Sequence, residues 1–346
     1  MAVVKADAYG HGVHIVAPTC LEHGIQDFGV ASVYEGTELR VLLGPEANVY
    51  LLSPTLPEEA SAILDANLVP LVSDYALPQA ISATASARGT VHPVHVEIDT
   101  GIGRAGLPYP EASAIYARIA SLPGIRIAGI STHFASADDD VADATEQLRL
   151  FENFLSEIGP LGADVMVHAD NSPATLTQPR YSRFNMIRPG LLLYGIESSE
   201  GAFVGSGYRW KPVLSLQAKV TLCRRLPAGA TISYGKTFTV PSGGGVYATI
   251  PVGYGDGYLR QLSGIGYVVI NGQRARICGR VCMDQLVVDV TAIAGVSAGV
   301  VATLIGSESA IGAGVGAAEL ARMIGATPHQ ITTCLTGRVP RIASDG

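Results

Sequence analysis

Residues 3–12 read VVKADAYGHG. Two β-branched apolar residues lead into a lysine, and a polar stretch then breaks on two glycines, which predicts a short buried strand from Ala2 to Lys5. Working outward, the same texture recurs to about residue 200. Strand patterns stand at Ala2 to Lys5, Phe28 to Val33, Ala47 to Leu52, Leu68 to Ser73, His92 to Asp99, Ile125 to His133, Asp164 to Ala169 and Met186 to Arg188. Helical patterns such as Leu56 to Asn67, Pro110 to Ser121 and Asp143 to Ile158 lie between them. Eight alternating units predict an α/β fold, a (β/α)8 barrel, with its chemistry at the C-terminal ends of the strands. Lys5 stands at such an end.

Lysine is scarce. Of 23 basic residues only Lys5, Lys211, Lys219 and Lys236 are lysines, so Lys5 is alone in the barrel stretch. A desolvated lysine at a strand end is a candidate Schiff-base nucleophile. From Gly205-Ser206-Gly207 onward the texture changes. Val213 to Cys223, Val246 to Ile250, Tyr267 to Ile270 and Gln285 to Val290 alternate or run apolar between glycine-rich turns. The division is placed at 1–205 for the barrel and 206–346 for a smaller, mostly β domain. Gly243-Gly244-Gly245 precedes no helical pattern, so it is read as a hairpin turn rather than a phosphate loop. Ala310 to Gly325 is read as one helix.

The chain has 346 residues, 48% hydrophobic and 15% charged, with mean hydropathy +0.30. It can bury a substantial core. A net charge of -7 without any run of Lys or Arg speaks against nucleic acid or an anionic membrane surface as partner. The uncharged stretch Val290 to Ser307 is long enough for a membrane span, but its glycines and hydroxyls predict two strands joined by a turn. Five scattered cysteines give neither a disulfide framework nor a metal-binding spacing, and they read as thiols of a reducing cytoplasm. The start carries no export signal.

VVKADAYGHG resembles the pyridoxal-phosphate attachment signature of the alanine racemase family. The resemblance continues in order through EIDTGIGRAG (97–106), THFASAD (132–138), HADNS (168–172), IRPGLLLYG (187–195), SYGKTF (233–238), IPVGYGDG (250–257), GRVCMDQ (279–285) and RVPR (338–341). It implies a homodimer with shared active sites that interconverts L- and D-alanine for peptidoglycan by two-base proton transfer. Lys5 then holds the cofactor and is one base. Tyr234, from the partner's β domain, is the other. His133 contacts that tyrosine, and Arg188 faces the pyridine nitrogen. Gly190, Leu191, Tyr9 and Ser172 cradle the phosphate. Arg104 lies near the phenolic oxygen and the substrate carboxylate, while Met283, Asp284 and Tyr254 line the substrate site and its entrance. His168 and Asn171 of HADNS support the site. No metal is implied.

Three departures from the family pattern stand out. Many members carry a carbamylated lysine seven residues before the arginine, where this chain has Glu97, expected to point into the barrel and to orient Arg104. A tyrosine often precedes RVPR, where this chain has Gly337. The chain begins four residues before Lys5, whereas members have a leading strand and helix, so the first barrel strand is expected to be short. Two alternatives stay open at this point. One is a broad-specificity amino-acid racemase of the same fold, and the other a pyridoxal-phosphate-binding protein with impaired turnover.

Overall fold

The computed structural model describes residues 1–137, 140–177, 184–198, 207, 210–307 and 314–344. Among these the chain forms two compact units. One consists of Met1–Ala8 and Gly12–Leu193, the other of Tyr9–His11 with the described residues from Tyr194 onward. The boundary expected at residues 205 and 206 lies outside the described residues.

In the first unit β1 (Ala2–Val3), β2 (Asp27–Val30), β3 (Asn48–Leu51), β4 (Leu68–Val72) and β5 (His92–Asp99) run parallel in order. The two-residue β6 (Leu107–Pro108) pairs with the end of β5, and β7 (Ile125–Thr132) and β8 (Met166–His168) continue the sheet. An eighth segment closes it. Met186 bridges His168 in parallel, the Met1 amine donates to Ile187 O at 3.0 Å, and Val3 N donates to Pro189 O at 3.1 Å. Apart from the added two-residue β6, the strands follow the sequence reading, β5 with the same bounds and the others shortened at their ends. Every residue of β4, LVPLV, is buried, as parallel strands covered on both faces require. The pairing of β5 with β7 shifts register between Val94 and His95, so that His95 faces Gly129.

The second unit is mostly β. β10 (Leu222–Leu226), β13 (Gly245–Ile250) and β16 (Leu286–Asp289) form one antiparallel sheet. β11 (Thr231–Ile232) pairs with β12 (Phe238–Thr239). β15 (Gln273–Arg276), β14 (Tyr267–Ile270), β17 (Val301–Ser307) and β18 (Gly314–Val315) form a third sheet, with β9 (Leu216–Lys219) on β17. Ile232, Val240, Tyr247 and Cys278 make a core between them.

Four expectations change here. The run from Val213 splits into β9 and β10 at Val220-Thr221. The Gly243 to Gly245 segment is a turn, with Gly244 N donating to Pro241 O, but no hairpin, because β12 pairs with β11 and β13 with β10 and β16. Val290 to Ser307 holds one strand, β17, after a loop in which Gly295 and Gly299 take φ of 76° and 94°. Of the helix expected over Ala310 to Gly325, residues 310–313 lie outside the described residues, Gly314–Val315 is drawn into the sheet as β18, and the helix runs over Ala317–Met323. No helix among the described residues is long and apolar enough to cross a membrane.

Candidate active site

Lys5 stands two residues past the end of β1, after Val4, and the chain then does something its residues do not favour. Ala6, Asp7, Ala8 and Tyr9 all take left-handed dihedrals, with φ from 53° to 55°. Each costs about 1–2 kcal/mol for a residue with a Cβ, so the surroundings must over-determine the turn. They do so with hydrogen bonds. Val13 N donates to Asp7 Oδ1 at 2.7 Å, Gly12 N to Asp7 O at 3.0 Å, and Ala6 N to Glu35 Oε1 at 2.8 Å. Burial lowers the Lys5 amine below the ordinary lysine value and the Arg104 charge lowers it further, with Glu35 opposing both. The neutral, nucleophilic amine is correspondingly easier to reach at neutral pH.

Arg188 is buried at the end of the eighth segment and donates in several directions. Its Nη1 bonds His168 Nδ1, and its Nη2 reaches Thr132 O at 2.7 Å, Ala169 O at 3.1 Å and His133 Nδ1 at 3.3 Å. A guanidinium only donates, so both imidazoles accept through Nδ1 and carry their hydrogen on Nε2. His168 Nε2 therefore donates to His95 Nδ1 at 2.9 Å. The His95 ring tilts against Tyr50, 5.0 Å between centroids, and the Tyr50 hydroxyl donates to Asp27 Oδ1 at 2.8 Å. Burial, followed by the Arg188 charge, pushes His95 and His133 down to about 3 and His168 well below its usual value. All three are neutral at physiological pH. Burial lowers Arg188 too, to about 10, with Glu97 and Asp170 opposing, so it stays cationic.

Glu97 is buried and faces the interior as expected, but it makes no ion pair with Arg104, which is exposed. The cation acting most strongly on Glu97 is Arg188, with Arg104 second. Asp99 accepts Gly101 N at 3.0 Å and Gly103 N at 3.1 Å and shapes the Arg104 loop. Ser172 is not the helix cap that its place before Pro173 suggests. Asn171 takes that position, its Oδ1 accepting Ala174 N at 3.1 Å. The Ser172 hydroxyl oxygen accepts Gly190 N at 2.9 Å and Leu192 N at 3.2 Å. The backbone N–H groups of Gly190 and Leu192 thus converge on one buried hydroxyl, an arrangement that suits a phosphate group.

The sequence reading missed His95, Glu35 and Gln147. Buried Gln147 accepts Ala135 N at 2.8 Å and donates to His133 O at 3.2 Å, fixing the loop that carries His133. Glu35 carried a readable sign, because Ser32 and Glu35 have the spacing of a capping box.

Tyr9, Tyr234, Tyr254, Met283 and Asp284 belong to the second unit. The Tyr9 ring packs 5.2 Å from that of Tyr194. Burial raises its phenol to about 12, so it remains a hydrogen-bond donor. The next residue is held as well, with Arg341 Nε donating to Gly10 O at 2.9 Å. Tyr234, Met283 and Tyr254 are exposed by 72%, 53% and 42%. Asp284 is tied to Arg338 at 2.8 Å, and Arg338 also reaches Asp256 at 3.4 Å, joining GYGDG, CMD and RVPR.

A parallel barrel that holds a single depressed lysine, a buried arginine and neutral histidines, followed by a β unit, defines a lysine-dependent barrel enzyme. Comparison with known proteins narrows the class. Residues 1–198 match the family described as alanine racemase, N-terminal domain, and residues 213–343 match alanine racemase, C-terminal domain. An alanine racemase of Halothermothrix orenii is 37% identical over 343 residues, covering 99% of this chain and 89% of that one. The structure of alanine racemase from D-cycloserine-producing Streptomyces lavendulae superposes with TM-score 0.90 at 31% identity, covering 100% of this chain and 90% of that one. That of Bartonella henselae alanine racemase with covalently bound pyridoxal phosphate gives TM-score 0.87 at 27% identity, with 99% and 91% covered. The chain belongs to the alanine racemase family.

Proposed function

We propose that this chain is a pyridoxal-phosphate-dependent isomerase that interconverts L- and D-alanine, with Lys5 and Tyr234 as the two bases on opposite faces of the substrate α-carbon. The observation that carries the reading is Lys5 itself, the sole lysine of its unit, with its amine depressed by burial and Arg104. Pyridoxal phosphate, when bound, supplies a conjugated ring that draws electron density from the α-carbon. The residues present fit it. Ser172, Gly190 and Leu191, with Tyr9, would hold the phosphate, and Lys5 would carry the covalent link.

Lys5 Nζ takes or returns the proton on one face, and the Tyr234 oxygen does so on the other. His133 is neutral and carries its remaining hydrogen on Nε2, which suits donation to the oxygen of the second base. Arg188, permanently cationic, opposes a second positive charge beside it and so restrains the electron sink. This favours clean return of the proton over side reactions. Arg104 would meet the substrate carboxylate, with Met283, Asp284 and Tyr254 lining the approach. His168 holds Arg188 through Nδ1, Glu97 sets a buried negative charge against it, and Asn171 caps the helix that begins at Ser172.

The exposure of Tyr234, Met283 and Tyr254 supports a homodimer in which residues 206–346 complete the site that the barrel, residues 1–205, begins in a partner. Five free cysteines support a cytoplasmic setting, where D-alanine would be made for peptidoglycan. A broader substrate range has one observation in its favour. A Cβ built on Gly337 meets nothing within 4 Å, so the place of the family's tyrosine is open space. Comparing kcat/KM for alanine, serine and lysine separates the two readings.

The shared site is tested by mixing inactive variants. Lys5→Ala and Tyr234→Phe homodimers each lack one base in both sites. After subunit exchange about half the dimers are mixed and each has one intact site, so roughly a quarter of the native activity should return. No return, with exchange verified, contradicts the reading.

A further inference from the structure

The helix Val33–Leu43 opens on Ser32, whose hydroxyl accepts Glu35 N at 3.2 Å. A capping glutamate turns its carboxylate back to the start of its own helix, and one oxygen does so, Oε2 accepting Ala31 N at 2.7 Å. The other serves no cap. Oε1 accepts the N–H of Ala6, 29 residues away, at 2.8 Å. Ala6 is the residue after Lys5 and the first of the four left-handed ones. Ala31 follows directly on β2, so one carboxylate clasps the chain just beyond the ends of two neighbouring barrel strands. The clasp is seated firmly. A Cβ on Gly36 would lie 2.8 Å from Leu68 Cδ1 and 3.3 Å from Leu51 Cδ2, so the helix backbone is pressed onto β3 and β4 one residue after Glu35.

We propose that Glu35 is a positioning residue for Lys5: its carboxylate anchors the first residue of the left-handed turn and sets a negative charge beside the amine against that of Arg104. The inference rests on the assignment of Lys5 made above, but its test does not require turnover. The charges acting on Lys5 are Arg104, which lowers its pKa, and Glu35, which raises it; His133 nearby is neutral.

The test uses the full-length chain after removal of cofactor with hydroxylamine, with the fold checked by circular dichroism. Residue-resolved amide exchange is followed at Ala6 and Ala31, and reductive methylation of Lys5 by formaldehyde and cyanoborohydride is followed against pH by peptide mass spectrometry. Hydrogen bonds to a carboxylate are strong, so Glu35→Ala should speed exchange at both amides by about tenfold or more. Glu35→Gln keeps one acceptor oxygen and should release one of them. It should also move the Lys5 half-reaction point to lower pH, because the opposing anion is gone. Ser32→Ala, which weakens the cap alone, should leave Lys5 reactivity unchanged. Unchanged Ala6 exchange in Glu35→Ala, or an unmoved Lys5 profile in Glu35→Gln, overturns the proposal. Cofactor attachment at another lysine would instead overturn the functional reading.

Discussion

Gly129→Ala is a one-methyl change with a calculable consequence. A Cβ at Gly129 would lie 2.4–2.5 Å from three atoms of the His95 imidazole, against an ordinary contact of about 3.5–4 Å between carbon atoms. The ring, buried among strands, has to shift by about 1 Å to clear it. That displacement breaks the 2.9 Å bond to His168 Nε2, and with it the far end of the chain that sets the tautomer facing Arg188. Overpacking costs about 1–3 kcal/mol, and a buried polar pair left unmatched about 1–3 kcal/mol more. The variant should therefore lose about 2–6 kcal/mol in urea unfolding followed by far-ultraviolet circular dichroism. Removing the obstructed ring should relieve much of this. In a double-mutant cycle with His95→Ala, the pair should cost less than the sum of the singles by about 1–3 kcal/mol. Additive costs would refute the account of why residue 129 is glycine.

Four further outcomes follow from the buried groups. His95 and His168 have lowered values in the folded state, so between about pH 3 and 6.5 only the unfolded chain takes up their protons. Stability should fall as pH drops through that window, by up to about 1.4 kcal/mol per pH unit for each histidine, and urea midpoints that hold steady from pH 6.5 to 5 would contradict it. Asp170 works the other way: burial raises its carboxyl to about 6, so ionising it costs stability as pH rises from about 4 to 6, and Asp170→Asn should gain about 1–2 kcal/mol at pH 7. Glu97→Gln keeps the shape but removes the anion opposing buried Arg188, and should lower kcat/KM by about tenfold or more. Activity of the native chain should be indifferent to dissolved bicarbonate, since Glu97 needs no carbamate; a bicarbonate requirement would count against that role.

The barrel was legible because parallel strands buried on both faces write themselves locally, as apolar β-branched runs. β5 spans the residues the pattern gave, His92–Asp99, and the others differ only at their ends. The turn after Lys5 was not legible. Ala-Asp-Ala-Tyr has no glycine, and only distant partners make its left-handed path tolerable. The same holds for the site's supports. His95 meets His168 across 73 positions and Glu35 meets Ala6 across 29, distances over which composition and periodicity carry no signal. Glu97 shows the middle case. Alternation gave its direction, but the ranking of Arg188 above Arg104 depends on the depth of each cation, which the sequence does not state. In the second unit, short strands and glycine turns fixed the texture while leaving partners open, as the GGG turn between differently paired strands demonstrates.

The central claim, that Lys5 bears the cofactor, has a direct measurement. The protein loaded with pyridoxal phosphate is reduced with borohydride, digested, and mapped by mass spectrometry. The account predicts a pyridoxyl group on Lys5, in the peptide that contains VVKADAYGHG. A label at Lys211, Lys219 or Lys236, with Lys5 unmodified, would contradict it.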